Sequence, residues 1–170
     1  PVFQTCLERT WDQAIVDLGA VVFHDDLFHL FYNGTEFYTM TRGGSYDSAF
    51  QTSSVGYAIS ANGYEWYRMG DAPLLVVEGM EIPIFNARIS SALVLDDGTW
   101  IMYFYSQNND SFSPPGAILR ASAPAPEGPW TLDTKPVLSP GGQGTWDDYA
   151  LSFPEVIKTD DGFQMYYIGV

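Results

Sequence analysis

The 170-residue chain is acidic, with 21 Asp and Glu residues against 7 Lys and Arg residues and a formal net charge of -14 at pH 7. This charge would repel phosphate backbones and anionic lipid surfaces, and no apolar run is long enough to span a bilayer, so we expect neither a nucleic-acid nor a membrane partner. A hydrophobic content of 46% excludes a disordered polypeptide.

Cysteine and histidine offer little for a metal site. The single Cys6 excludes an internal disulfide framework and a cysteine-rich zinc site. His24 and His29 fall on a predicted hairpin, so we expect no metal and no cofactor. The chain begins at Pro1 without Met and stops at Val170 inside an apolar run, so we expect a piece of a longer protein. Its compartment stays open, with secretion and the periplasm among the options.

Four short strands are predicted in the first part of the chain, near residues 19–24, 27–33, 54–60 and 65–69. Runs of Val, Ile, Tyr, Phe and Trp about 4–8 residues long are separated there by turn residues, without a helical period. Tight turns join neighbouring strands, so we predict a four-stranded antiparallel meander. The predicted turns along the chain are Asp25-Asp26, Asn62-Gly63, Asp97-Gly98, Glu127-Gly128-Pro129 and Asp161-Gly162.

The same pattern recurs along the chain. Residues 11–35 align without a gap on residues 146–170, and LVLDDGTWIMYFYS at 93–106 forms a middle copy. Eight positions of the first pair are identical, which is well above chance. They are Trp11/Trp146, Asp12/Asp147, Val21/Val156, Asp25/Asp160, Asp26/Asp161, Phe28/Phe163, Tyr32/Tyr167 and Gly34/Gly169. Because the tryptophans and the Trp-Asp pairs follow the repeat, we assign them structural roles.

A repeated four-stranded meander is the blade of a β-propeller. We therefore predict an all-β fold in which residues 11–75 and 85–138 form two blades and residues 146–170 begin a third. Residues 1–170 would form a single partial propeller domain. A lectin-like jelly roll is the alternative fold, and the blade-length repeat disfavours it.

Long segments at 34–53, 75–88, 106–116 and 139–150 should share one face, while tight turns occupy the other. Long loops in a compact fold are commonly functional. Aromatic rings stack on the C–H faces of sugars and carboxylates accept hydroxyl hydrogen bonds, so an oligo- or polysaccharide is the expected partner. Unrepeated aromatic candidates for substrate binding are Tyr38, Tyr46, Phe50, Phe85, Phe112 and Tyr149.

Three segments resemble glycoside hydrolase families 43 and 32. They are LFYNG at 30–34, GYAISANGYEW at 56–66 and GPWTLDTKPVLSP at 128–140. The resemblance implies a five-bladed propeller that acts on arabinose-, xylose- or fructose-containing glycans through two Asp residues and a Glu in a central funnel. This chain would supply about half of the ring, so its partners would include the remaining blades.

The resemblance also suggests site residues. Asp17, just ahead of the first predicted strand, corresponds to the first Asp and is the candidate base or nucleophile. Ser152 stands where the family places its acid, two residues before Pro154, and is a candidate for substrate binding. Glu155 is the nearby candidate acid, although an alternating strand would turn it to the other side unless a bulge intervenes. Arg88 would contact a substrate or a carboxylate, or would only balance the acidic charge.

Three functions compete on this evidence. A glycosidase needs two carboxylates flanking the glycosidic bond. Of the candidates Asp17 and Glu155, Asp17 is the better one. A non-catalytic carbohydrate-binding propeller is the alternative, favoured by Ser152 in place of the expected Glu. A propeller that binds other proteins is the third.

Overall fold

In the computed structural model, the described residues form eleven antiparallel β-strands and no helix. No helix that could cross a membrane is found among them. The prediction of an all-β class is confirmed. The described residues are 3–4, 11–12, 15–35, 54–76, 87–106 and 116–170.

The first sheet follows the order of the chain. β1 (Ile15–His24), β2 (Leu27–Thr35), β3 (Ser54–Ser60) and β4 (Tyr67–Arg68) pair in succession, and β5 (Leu75–Val76) pairs with the start of β3. This is the predicted four-stranded meander with one short added strand. β1 begins earlier than predicted, because its pairing with β2 extends to the first residue of the strand.

The second sheet repeats this plan. β6 (Ala87–Val94), β7 (Trp100–Ser106), β8 (Ile118–Ala123) and β9 (Thr131–Leu132) pair antiparallel in succession. The two sheets therefore have the same topology, as the sequence repeat predicts.

The third sheet is a hairpin of two strands. β10 (Leu151–Thr159) pairs with β11 (Gly162–Gly169). Hydrogen bonds join it to the second sheet: the Leu151 N–H donates to the Gly116 carbonyl over 2.9 Å, and the Val156 N–H donates to Ser91 Oγ over 3.1 Å. The third sheet thus packs on the second as the second packs on the first.

Tight hairpin turns join the first two strands of each sheet. Asp25 and Asp26 adopt left-handed φ angles of 48° and 62°, and Gly98 and Gly162 have φ angles of 84° and 130°. Asp and Gly are among the residues that tolerate this region, which explains their place in the turns.

Trp11, Asp12, Tyr32 and Gly34 form what we call the first Trp-Asp cluster. The indole of Trp11 stacks on the ring of Tyr32 with centroids 5.6 Å apart. The Tyr32 hydroxyl donates to the buried Asp12 carboxylate over 3.1 Å, and Arg68 Nε donates to the same oxygen over 3.0 Å. Burial, with the charge of Asp12, raises the pKa of Tyr32. A Cβ at Gly34 would overlap the indole, so glycine is required there.

Trp146, Asp147, Tyr167 and Gly169 repeat this arrangement as the second Trp-Asp cluster. Trp146 stacks on Tyr167 at 5.4 Å, and the Tyr167 hydroxyl donates to Asp147 over 3.0 Å. A Cβ at Gly169 would again overlap the indole. The repeated identities are therefore scaffold contacts, as predicted for the Trp-Asp pairs.

The main core lies between the first and second sheets. Phe31 is fully buried and packs edge-on against Trp100 and Trp130, with ring centroids 5.9 and 5.7 Å away. Trp66 packs on a smaller cluster on the other face of the first sheet. The predicted packing role of these tryptophans is confirmed.

We call β1, β6 and β10 the inner strands. β1 packs against β6, and β6 packs against β10. Each inner strand skips register once, which bends the strand and redirects the next side chains. The skips lie at Leu18/Ala20, Ile89/Ser91 and Ser152/Glu155.

Candidate functional site

Asp17 and Arg88 form an ion pair between the first two sheets. Asp17 lies on β1 and Arg88 near the start of β6, and Arg88 Nη1–H donates to Asp17 Oδ2. Their side chains remain 44% and 25% exposed, so both groups are accessible. Asp17 was predicted just ahead of the first strand and lies instead within β1. Arg88 contacts a carboxylate, which was one of its predicted roles.

Asn33 fixes the distance between the two strands that carry this pair. Its side chain is buried, its Oδ1 accepts from the Ile89 N–H over 2.9 Å, and its Nδ2 donates to the Ile89 carbonyl over 3.2 Å. Nδ2 also lies 3.5 Å from the Leu18 carbonyl. Since Leu18 follows Asp17 and Ile89 follows Arg88, this amide holds the two charged residues in register.

Asp17, Arg88 and Ser152 occupy one structural position on the three inner strands. The gap-free alignment sets Ser152 opposite Asp17. Arg88 pairs with Tyr105 as Asp17 pairs with Asn33, at the same step before the register skip. The position thus carries an acid, a base and a hydroxyl in successive copies, whereas the scaffold positions of the first and third copies repeat.

A cleft of about 670 Å³ opens beside the ion pair. We call it the inner cleft. Its carboxylate, guanidinium and hydroxyl groups can accept and donate the hydrogen bonds that sugar hydroxyls require. The residues that line it include Asp17, Asn33, Arg88, Ser90, Tyr105 and Phe153.

Two aromatic residues of the inner cleft were not singled out from the sequence. Tyr105 is buried and Phe153 is half exposed, and their ring centroids lie 4.6 Å apart. Burial raises the pKa of the Tyr105 hydroxyl, with nearby Arg88 acting in the opposite direction. The signal available in the sequence was the alignment of Phe153 with Leu18, next to the candidate Asp17.

Glu155, the predicted acid, does not line the inner cleft. A register skip does precede it, so Ser152 and Glu155 pair with alternate residues of β11 and lie on the same face of the third sheet. The corresponding residues on β1 and β6 are Ala20 and Ser91, which are buried between neighbouring sheets. Glu155 is instead exposed on the outer face of the third sheet, and the structure does not bring it together with Asp17.

The other predicted contacts fall elsewhere. Ser152 does not line the inner cleft, and Tyr149 is exposed beside the end of β11, where its N–H donates to the Val170 carbonyl over 2.8 Å. Across the described ranges, no group of three or more His, Cys, Asp or Glu side chains gathers into a metal site. The predicted residues that lie outside the described ones are Tyr38, Tyr46, Phe50, Phe85 and Phe112.

The fold is shared with solved glycoside hydrolases. A family 117 glycoside hydrolase of the marine bacterium Zobellia galactanivorans matches with a TM-score of 0.72 and 18% identity, over 97% of this chain and 50% of that chain. A glycosyl hydrolase from Bacteroides ovatus matches with a TM-score of 0.68 and 15% identity, over 98% of this chain and 50% of that one. The chain has a glycoside hydrolase propeller-like fold. It spans about half the length of these enzymes.

Sequence comparison adds one relative. The chain is 32% identical over 75 residues to a 1,2-beta-oligomannan phosphorylase of Thermoanaerobacter sp., a match that covers 44% of this chain and 23% of that protein. No protein-family profile matches the chain. Membership of family 43 or 32 therefore stays a prediction.

Proposed function

We propose that this chain is the part of a glycoside hydrolase-like propeller that binds a glycan and supplies the base or nucleophile, Asp17. The observation that carries the proposal is the accessible Asp17–Arg88 pair in the inner cleft, held by the buried Asn33 amide. Its place where the inner strands of two sheets meet agrees with the funnel site that the family resemblance implies.

The roles follow from the charges. The Asp17 carboxylate has one of two roles. As a base it takes a proton from an attacking water molecule, and as a nucleophile it attacks the anomeric carbon itself. Arg88 donates to one Asp17 oxygen, and the Asp17 side chain remains 44% exposed. Because Glu155 lies outside the inner cleft, we infer that the acid is a carboxylate outside the described residues.

The architecture of the whole is part of the proposal. We propose blades at 11–75 and 85–138, a third beginning at 146–170, and closure into a five-bladed ring. Exposed apolar residues on the outer faces of the first and third sheets support further blades packing there. They are Leu18, Val21, Phe23, Ile157, Tyr166 and Ile168.

The substrate is proposed as a neutral glycan. The family resemblance favours arabinose, xylose or fructose units, and the phosphorylase relative adds mannose. A second reaction is phosphorolysis, in which phosphate replaces water. Arg88 favours it, because a partly exposed guanidinium can bind phosphate through parallel hydrogen bonds.

The test compares the complete protein with its Asp17→Asn variant on aryl glycosides of these sugars, with and without phosphate. The variant keeps the shape but loses the charge, so turnover should fall about 10²–10⁴-fold while folding and sugar affinity persist. Asp133→Asn is the matched control, because Asp133 also pairs with an arginine, Arg120, at 2.8 Å, but lies outside the inner cleft. Equal turnover in wild type and Asp17→Asn would remove Asp17 from the site, and a carbohydrate-binding propeller would show no turnover at all.

A further inference from the structure

Phe153 has a backbone conformation that its side chain does not favour. The described non-glycine residues with positive φ are Asp25 and Asp26, which form a hairpin turn, and Phe153, which lies within β10 with φ of 50°. A bulky residue in this region is an outlier, and a residue before proline, here Pro154, normally prefers an extended conformation. Such strain persists where the surrounding structure imposes it and is common at ligand sites.

The strained conformation presents the Phe153 ring to the inner cleft. Leu151 and Pro154 are buried, whereas Phe153 is 51% exposed and lines the cleft with Asp17 and Arg88. The register skip between Ser152 and Glu155 leaves Phe153 unpaired, which lets it turn outward. A ring that is half exposed gains little from packing, so core stability does not account for the strain.

Tyr105 supports the ring from behind. The two centroids lie 4.6 Å apart with the planes inclined at 40°, and Tyr105 is itself 3% exposed. The buried Tyr105 ring is therefore held in place, and it contacts one side of the Phe153 ring. Phe153 itself remains 51% exposed, so part of its ring surface is open to a flat apolar group.

We propose that Phe153, backed by Tyr105, is a stacking platform for a sugar ring in the inner cleft. The C–H face of the sugar lies on the Phe153 ring, and its hydroxyl groups reach Asp17 and Arg88 at the edge. This rests on the proposed function and adds to it the residue that orients the sugar. A neutral sugar with an apolar face fits this combination of ring, acceptor and donor.

The experiment measures glycan affinity and stability together in the complete protein. Oligosaccharides of mannose, arabinose, xylose and fructose are titrated by calorimetry into wild type, Phe153→Asn and Phe153→Tyr. Asn tolerates a left-handed φ but lacks the ring, and Tyr retains the ring. The matched control is Phe163→Asn, because Phe163 is 53% exposed on β11 and does not line the inner cleft.

We expect Phe153→Asn to weaken the Kd of the bound oligosaccharide about tenfold or more, the loss of one good aromatic contact. Its melting temperature should equal or exceed that of wild type, because the strain is relieved. Phe153→Tyr should restore affinity, and Phe163→Asn should leave it unchanged.

Two results overturn the platform alone. One is an unchanged Kd in Phe153→Asn while Asp17→Asn loses turnover. The other is a Phe153→Asn variant that melts lower or fails to fold while Phe153→Tyr is intact, since this assigns the ring to packing. Wild type that binds none of the oligosaccharides contradicts the proposed function, and the platform with it.

Discussion

The residues of the Trp-Asp clusters recur between copies of the internal repeat, whereas the charged residues of the inner cleft do not. Both clusters keep the same tryptophan, aspartate, tyrosine and glycine, with the same stacking and the same tyrosine-to-aspartate hydrogen bond. The equivalent inner-strand position changes from Asp17 to Arg88 to Ser152 in successive copies, and the first two of these line the inner cleft. Positions that repeat hold each sheet together, whereas the position that differs brings unlike charges to one place. We therefore assign the repeating positions to stability and propose the differing position for function.

The largest effect on stability is expected within the first Trp-Asp cluster. Asp12→Ala leaves Arg68 and the buried Tyr32 hydroxyl without their shared acceptor, so the free energy of unfolding should fall by about 3 kcal/mol. Asp147→Ala is the matched change in the second cluster, where Trp146 is 67% exposed. Because more solvent can replace the lost bond there, the fall should be under about 1 kcal/mol. Urea unfolding measures both.

Glycan affinity provides the control for this pair. Residual folded Asp12→Ala protein should bind oligosaccharide as wild type does, because the first Trp-Asp cluster does not supply the charged groups of the cleft. If Asp12→Ala and Asp147→Ala lower the free energy of unfolding equally, the difference in burial between the two clusters does not set their contribution to stability.

A smaller effect on stability, with a clear effect on function, is expected at Arg88. The Asp17–Arg88 pair is partly exposed, and such pairs contribute about 0–1 kcal/mol, so Arg88→Met should change the free energy of unfolding by less than about 1 kcal/mol. Turnover should fall, because Asp17 loses the donor that orients it. Chemical denaturation and steady-state kinetics on one preparation test this. Arg120→Met, at the ion pair with Asp133, should leave turnover unaffected, and a variant of Arg88 that retains full activity would contradict the assignment.

The sequence repeat made much of the fold predictable. Asp25, Asp26, Gly98 and Gly162 mark turns because few other residues tolerate their φ angles. Strand order followed from those turns, and the recurrence of Trp11 as Trp146 indicated scaffold roles. These features depend on local conformation or on similarity between copies, and both are visible in a single sequence.

The geometry of the site was less predictable, because it depends on contacts between distant residues. Asn33 belongs to the segment LFYNG, yet its amide bonds to Ile89 in the next sheet. The register skip in β10 decides where Glu155 lies, and neither its size nor its position follows from an alternating pattern. The left-handed φ of Phe153 depends likewise on the packing of its neighbours, so its ring in the cleft could not be inferred from residue type.

The central claim is that the inner cleft, and not the hairpin-turn face, binds the glycan. Titrating the isotopically labelled complete protein with oligosaccharides, while following backbone amide chemical shifts, tests it most directly. We predict that the largest shifts occur around Asp17, Arg88 and Phe153. Shifts confined to the turns at 25–26, 62–63 and 127–128, with the signals of the inner cleft unchanged at saturation, would contradict it.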